Sequence, residues 1–106
     1  MAGDRDKNPN TGTVLKERQQ TKRPPLYKVL FHNDDFTTME FVVHVLKKFF
    51  DKDRTEATRI MLHIHHSGIG LVGLYPFEVA ETLVQQASDY ALANEYPLRI
   101  TMEPDK

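Results

Sequence analysis

The stretch HNDDFTTMEF, residues 32–41, decides how the chain is arranged. The run that ends in it, Leu26 to His32, is rich in Val, Leu and aromatic residues and predicts a β-strand. Behind it, apolar residues recur at helical intervals up to Phe50, and Thr37 precedes Glu40 at the spacing of a capping box. The stretch is therefore a junction between a strand and a helix, which we predict over residues 38–50.

The next segment repeats the pattern. Asp53 precedes Glu56 by three residues, and an apolar helical periodicity follows, which predicts a second helix over residues 54–66. Gly68 is a natural left-handed stop for that helix. The β-rich residues 69–75 then predict a second strand, in which the glycines indicate a bulge or close packing.

The C-terminal third completes the fold. Pro76 opens an apolar helical pattern that ends near Asn94, which predicts the longest helix. Residues 98–102 alternate as a half-buried strand does. The predicted order is β-α-α-β-α-β, an α+β domain in which three helices pack on one face of a three-stranded, mostly antiparallel sheet.

Length and composition narrow the class of protein. A chain of 106 residues, of which 40% are hydrophobic, suits one globular domain. The sequence has no cysteine, so it has no disulfide or thiolate zinc site. It has neither a run of about 18 apolar residues nor a hydrophobic N-terminal segment, so we expect a cytoplasmic protein that does not bind membranes.

Charge divides the chain into two parts. Residues 1–25 carry six Lys or Arg against three Asp or Glu, whereas residues 26–106 carry eight against twelve. The acidic part is a poor phosphate binder, so we expect no nucleic-acid partner. Residues 1–23 are polar and lack apolar periodicity, which predicts a flexible arm, and Pro24-Pro25 begins a domain over residues 24–106.

The residues that could carry chemistry favour binding over catalysis. Asn33, Asp34 and Asp35 could be no more than turn and helix-starting residues. The two aspartates are adjacent rather than opposed, so they do not form an acid and base pair. There is no cysteine, and neither serine lies in a nucleophile elbow. We expect that the protein is not an enzyme.

A histidine cluster, LHIHHSG, ends the second predicted helix and raises the question of a metal. At 100° per residue His63 and His66 share a face, but His65 points about 200° away from His63, so we predict no metal site. His65 instead shares a face with Met61, four residues earlier. A histidine and a methionine on one helix face are compatible with ordinary core packing as well as with a binding site.

Three segments carry a resemblance to a known family. YKVLFHNDDFTTMEFVVHVLKKFF (27–50), EATRIMLHIHHSG (56–68) and YPLRITMEP (96–104), with EVAET between the last two, closely resemble the ClpS adaptors, which recognise N-degrons. The resemblance covers residues 24–103. It implies a protein without a cofactor that binds proteins beginning with Leu, Phe, Tyr or Trp and delivers them to the ClpAP protease.

The resemblance also implies roles for individual residues. Asn33, Asp34 and His65 match the residues that hold the α-amino group of the substrate. The pocket for the first side chain matches Met39, Val42, Met61, Ile64 and Leu98. Docking on the N-terminal domain of a ClpA-like Clp ATPase is implied for the helix that carries Glu78 and Thr82.

These roles are physically coherent. A free N-terminus is an ammonium with three donors, and the three matched residues offer a carbonyl, a carboxylate and an imidazole nitrogen as acceptors. Two positions depart from the family: Thr38 stands where Pro is frequent, and Leu83 where Lys is frequent. The alternative is an interaction domain that docks on a chaperone or ribosomal partner without recognising N-termini. A metal-dependent hydrolase is a more distant alternative.

Overall fold

The computed structural model describes residues 24–106 and gives six elements in the predicted order. They are β1 (Tyr27–His32), α1 (Met39–Phe50), α2 (Arg54–Ser67), β2 (Ile69–Tyr75), α3 (Phe77–Ala93) and β3 (Arg99–Pro104). The α+β prediction is confirmed, and every strand pairing is antiparallel. The predicted flexible arm, residues 1–23, lies outside the described residues.

The sheet has the strand order β2-β1-β3, so β1 is central. Val29 and Phe31 have no exposed surface, whereas Leu30 and His32 between and after them are half-buried. Side chains of a strand alternate between faces, so the face that carries Val29 and Phe31 is the one that the helices cover. The pairing of β1 with β2 shifts register between Val29 and Leu30, which fits the irregularity that the glycines of β2 predicted.

The core lies between this face and the helices. Phe31 packs edge to face on Phe50, with ring centroids 5.5 Å apart. Burying an apolar side chain of this size contributes about 1.5–3 kcal/mol. Most of the predicted helical stripes are buried: Phe41, Val42, Val45, Leu46 and Phe50 of α1, and Ile60, Met61 and Ile64 of α2. Phe49, also predicted, is half-buried, and Ala57 is buried beside the stripe of α2.

The start of α1 differs from the prediction by one residue. Thr38 is the N-cap, and its hydroxyl accepts a hydrogen bond from the Phe41 N–H at 3.1 Å. The capping box predicted at Thr37 is wrong, because Thr37 instead donates to the Asp34 side chain. Two adjacent threonines can each cap a helix, and a local carboxylate decides which of them is free to do so.

Both cap residues of α2 follow the prediction, although the helix ends one residue later, at Ser67. The Asp53 carboxylate caps the helix by accepting from the Glu56 N–H at 2.8 Å. Gly68 ends it in the left-handed region, with a φ of 88°. Residues 51–53 join α1 to α2, and Asp51 is also left-handed, with a φ of 57°. A link this short turns α2 back along α1.

Within residues 24–106, no helix is long and apolar enough to cross a membrane.

Candidate functional site

The loop after β1 is tied to the end of α2. The Asn33 N–H donates to the Gly68 carbonyl at 2.9 Å, and the Gly68 N–H donates to the Ile64 carbonyl at 2.8 Å. Because β1 is the central strand, this loop leaves the middle of the sheet and meets the last turn of α2. These contacts bring Asn33 and His65 to one site although they are distant in sequence.

A cavity of about 320 Å³ lies at this junction. Seven of the eight residues assigned to the amine site and pocket line it: Asn33, Asp34, Met39, Val42, Met61, Ile64 and His65. The eighth, Leu98, is not among the lining residues. It is 7% exposed and belongs to the hydrophobic core just before β3.

The Asp34 carboxylate is held by three hydrogen bonds. Its Oδ1 accepts from the backbone N–H groups of Phe36 at 2.8 Å and Thr37 at 2.7 Å. Its Oδ2 accepts from the Thr37 hydroxyl at 2.8 Å. A carboxylate offers about four lone-pair sites, so one site on Oδ2 stays available for a further donor. Asp34 thus both builds the turn and can accept a hydrogen bond from a ligand.

The same hydrogen bonds act on the ionisation of Asp34. Burial raises the pKa of this carboxyl. The hydrogen bonds that it accepts from Thr37 and Phe36 together lower the pKa by more than burial raises it, so the pKa lies below the ordinary value of 3.8. A donor stabilises the charged form of an acid. Asp34 therefore carries its negative charge throughout the neutral pH range.

The cavity changes from polar at its rim to apolar at its floor. Asn33 and His65 are exposed, while Val42 is 7% and Ile64 2% exposed. Of the two methionines, Met39 is 44% exposed and lies nearer the rim, whereas Met61 is 9% exposed and lies nearer the floor. Unbranched Met39 stands at the opening, where a flexible thioether side chain can move to admit a ligand.

Three lining residues were not predicted as site residues. Asp35, Thr37 and Thr38 also border the cavity. Asp35 adds a second carboxylate to the rim. Thr37 holds the Asp34 carboxylate, and Thr38 caps α1. The capping pattern marked Thr37 as structural, and only the fold shows that the start of the helix is also a cavity wall.

The histidines of α2 are distributed as the helical geometry predicted. His65 lines the cavity, whereas His66 does not, and their ring centroids are 5.7 Å apart. No group of three or more potential metal ligands is present in the part of the chain that the structure describes.

The residues assigned to partner docking lie on α3, away from the cavity. Glu78 and Thr82 are both exposed, one helical turn apart. Glu78 borders a separate, mainly apolar hollow of about 670 Å³, which Phe77 and Leu26 also line. Phe77 is 46% and Leu26 44% exposed. Leu83, at the position where the family often has Lys, is half-buried against the core.

The fold and the cavity together define a small recognition domain, with an acceptor-rich rim and an apolar floor sized for one side chain. The profile of the family described as ATP-dependent Clp protease adaptor protein ClpS matches residues 22–101. The chain belongs to the ClpS family, whose members are adaptors and not enzymes.

Individual relatives agree with this assignment. The ATP-dependent Clp protease adapter protein ClpS of Rhodospirillum centenum is 55% identical over 100 residues, which cover 94% of this chain and 93% of the relative. The ClpS of Parvibaculum lavamentivorans is 56% identical over 101 residues, covering 95% and 92%. Among solved structures, Agrobacterium tumefaciens ClpS2 bound to L-phenylalaninamide matches with a TM-score of 0.76 and 38% identity, covering 78% of this chain and all of that one.

Proposed function

We propose that the cavity between the loop after β1 and the last turn of α2 binds the first residue of N-degron proteins, those that begin with Leu, Phe, Tyr or Trp. The adaptor then delivers them to the ClpAP protease in the cytoplasm. The observation that carries the proposal is one cavity that joins the Asp34 carboxylate and His65 to an apolar floor between Met39 and Met61. Phenylalaninamide, the ligand of the ClpS2 relative, has the same two features, a free α-amine and a bulky apolar side chain.

The polar rim supplies what an ammonium needs. Asn33 offers an amide carbonyl, Asp34 its remaining lone pair and full charge, and neutral His65 a ring nitrogen. Hydrogen bonds to a charged group contribute about 1.5–3 kcal/mol each. Among the described residues that line the cavity, none is a lysine or an arginine that would repel the amine.

The apolar floor supplies the second half of the affinity. Burying a Leu or Phe side chain against Val42, Met61 and Ile64 contributes about 1.5–3 kcal/mol. After the cost of immobilising a peptide end, the two halves together support micromolar to submicromolar binding, and neither suffices alone.

Fluorescence anisotropy with peptides that differ only in residue one tests the proposal. Peptides beginning with Phe, Leu, Tyr or Trp should bind at least tenfold more tightly than those beginning with Val or Ile, because β-branched side chains are stiff near the backbone and crowd Met39. Equal binding of Ile-starting and Leu-starting peptides contradicts the role of Met39.

Acetylation of the peptide N-terminus separates this function from the alternative interaction domain. It removes the positive charge and two donors, so an adaptor of this kind should lose binding of a Phe-starting peptide. An interaction domain that ignores N-termini would bind both forms equally.

Delivery needs a second surface, which we place on α3. Glu78 and Thr82 are exposed on it, and the apolar hollow beside Glu78 offers a place for the N-terminal domain of a ClpA-like ATPase. The cavity between the loop after β1 and the last turn of α2 is called the amine cavity. The hollow beside Glu78 and the amine cavity have no lining residue in common. A substrate and the chaperone can therefore be held at the same time. The net acidic character of residues 26–106 supports the absence of a nucleic-acid partner.

A further inference from the structure

A second cavity, of about 440 Å³, lies between α1 and α2 and adjoins the amine cavity. The two share Met39 and Met61 as lining residues. These methionines therefore form a common wall, with the first-residue pocket on one side and an inter-helix groove on the other. A chain end seated in the pocket has this groove beside it.

The groove has a defined direction. It continues from Met39 to Lys47 along α1 and from Met61 to Arg54 along α2. At a rise of 1.5 Å per residue, these intervals span about 12 Å and 10.5 Å. The groove therefore begins at the methionines and ends at the two basic residues, with Val43 between them as an apolar floor.

Charge changes along this direction. Glu40 lies beside Met39 at the near end, whereas Lys47 and Arg54 are exposed at the far end. The ion pairs formed among residues 24–106 are Lys28 with Glu103 and Arg59 with Glu56, so they do not neutralise the far end. Residues 47–54 carry Lys47, Lys48, Lys52 and Arg54 against Asp51 and Asp53, so the far end is positive, although residues 26–106 as a whole are acidic.

We propose that this groove is a second subsite, which takes the substrate residues after the first and favours an acidic side chain at the third or fourth position. An extended chain advances about 3.3–3.5 Å per residue, so two to three residues beyond the first cover about 7–10 Å of the distance from the methionines to the basic pair. The side chains of Lys47 and Arg54 are long and flexible, so they can reach a carboxylate at that point. At the second position the Glu40 carboxylate disfavours an acidic residue. The inference rests on the proposed function, since the first residue must occupy the amine cavity.

The test uses fluorescence anisotropy with Phe-starting peptides that carry a single Asp, or the uncharged isostere Asn, at position two, three or four. Asp at position three or four should tighten binding about three- to fivefold relative to Asn, as exposed charge pairs of this kind do. Asp at position two should not tighten it. Raising the salt concentration to 1 M should abolish the gain, because exposed charges are then screened.

Two variants locate the effect. Lys47→Gln and Arg54→Gln, alone and together, should remove the preference for Asp while leaving the affinity for phenylalaninamide unchanged. Lys48→Gln is the matched control, since it changes the net charge equally on the neighbouring residue of α1, which does not line the groove. It should keep the preference.

The outcomes are distinguishable. If phenylalaninamide does not bind, the proposed function itself fails. If it binds and Asp gives no advantage over Asn at positions three and four, or if Lys48→Gln removes the advantage as fully as Lys47→Gln, the subsite is disproved and the first-residue function stands.

Discussion

At the scale of single residues, Asp34 joins structure and recognition. Its carboxylate accepts three hydrogen bonds from Phe36 and Thr37, which fix the turn that leads into α1. Asp34 also lines the cavity, and one lone pair of its carboxylate is left for a further donor. In the proposed function, this turn aspartate also accepts a hydrogen bond from the substrate ammonium.

Replacing Asp34 by Asn should weaken both stability and binding. Asn lacks the charge, and the NH₂ group that replaces one carboxylate oxygen cannot accept the hydrogen bond that the Thr37 hydroxyl donates. The free energy of unfolding should therefore fall by about 1–2 kcal/mol at pH 7. Affinity for a Phe-starting peptide should fall at least tenfold. Asp35→Asn is the control for stability, because no hydrogen bonds of this kind hold its exposed side chain within the described residues. An equal loss in both variants contradicts the structural role of Asp34.

The pH dependence of that stability difference has a definite sign. The folded-state pKa of Asp34 is below its ordinary value of 3.8, so the folded state releases this proton more readily than the unfolded state. The stabilisation is complete above the ordinary pKa and is lost as the pH falls through the lowered one. Urea unfolding should show a constant difference between wild type and Asp34→Asn from pH 5 to 8 that shrinks below pH 4. A difference that persists unchanged to pH 2 argues against an ionic origin.

His65 gives binding its own pH dependence. As an acceptor for the ammonium it must be neutral, and a protonated ring both loses the acceptor and repels the ligand. Affinity for a Phe-starting peptide should therefore weaken on acidification, once the ring becomes protonated. His65→Gln should bind more weakly and without this dependence, whereas His66→Gln, next to it but outside the cavity, should retain it. Wild-type affinity that is flat from pH 8 to 5.5 excludes the acceptor role.

At the scale of elements, the close packing of β2 on α2 supports the floor of the pocket. Gly70 is buried, and a Cβ placed on it would lie 2.6 Å from Cγ1 of Ile64. Ile64 is 2% exposed and lines the amine cavity, so it has little room to retreat. The absent side chain at Gly70 thus lets the strand approach the helix and sets where the pocket floor lies.

Gly70→Ala should therefore affect stability and binding together. Overpacking of this kind costs about 1–3 kcal/mol, and the displaced Ile64 should reduce affinity for a Trp-starting peptide more than for a Leu-starting one. Gly73→Ala is the comparison, because its Cβ would meet the Tyr75 side chain, beginning at its hydroxyl at 2.7 Å, away from the cavity. Gly73→Ala should leave the ranking of peptides unchanged, and unfolding and peptide titrations of both variants measure this. Identical effects at the two glycines contradict the link between β2 and the pocket floor.

At the scale of the whole molecule, the cavity proposed for the substrate and the surface proposed for the chaperone are separate. The amine cavity lies between the loop after β1, α1 and α2, and the proposed docking surface lies on α3 and the hollow at its start. The two surfaces are formed by helices that follow different strands. The helices α1 and α2 follow the central strand β1, whereas α3 follows the edge strand β2.

Variants on α3 should therefore uncouple delivery from binding. Glu78→Lys combined with Thr82→Ala should lower the rate at which ClpAP degrades a Phe-starting reporter by at least fivefold, while anisotropy shows unchanged affinity for the peptide. Asp89→Lys, about 16 Å further along α3, is the charge-matched control and should deliver normally. Lost peptide binding in the Glu78 variant would falsify the separation of the two surfaces.

Much of the architecture followed from the sequence alone, because it depends on local patterns. The apolar stripes of α1 and α2, the Asp53 cap and the Gly68 stop were predicted from spacing and are confirmed. The wrong cap at Thr37 arose because either of two neighbouring threonines could cap the helix, and the Asp34 carboxylate binds one of them. The ends of β3, predicted over 98–102 and observed at Arg99–Pro104, also differ.

By itself, then, the sequence determined the order of elements and, through its resemblance to ClpS, predicted the residues of the site. Tertiary structure alone decided which of them meet: it joined Asn33 to the end of α2 through Gly68, buried Leu98 in the core, and set Lys47 and Arg54 at the end of a groove that starts at Met39. The reason is physical, since helix and strand patterns depend on neighbours a few residues apart, whereas a cavity depends on how separate elements pack.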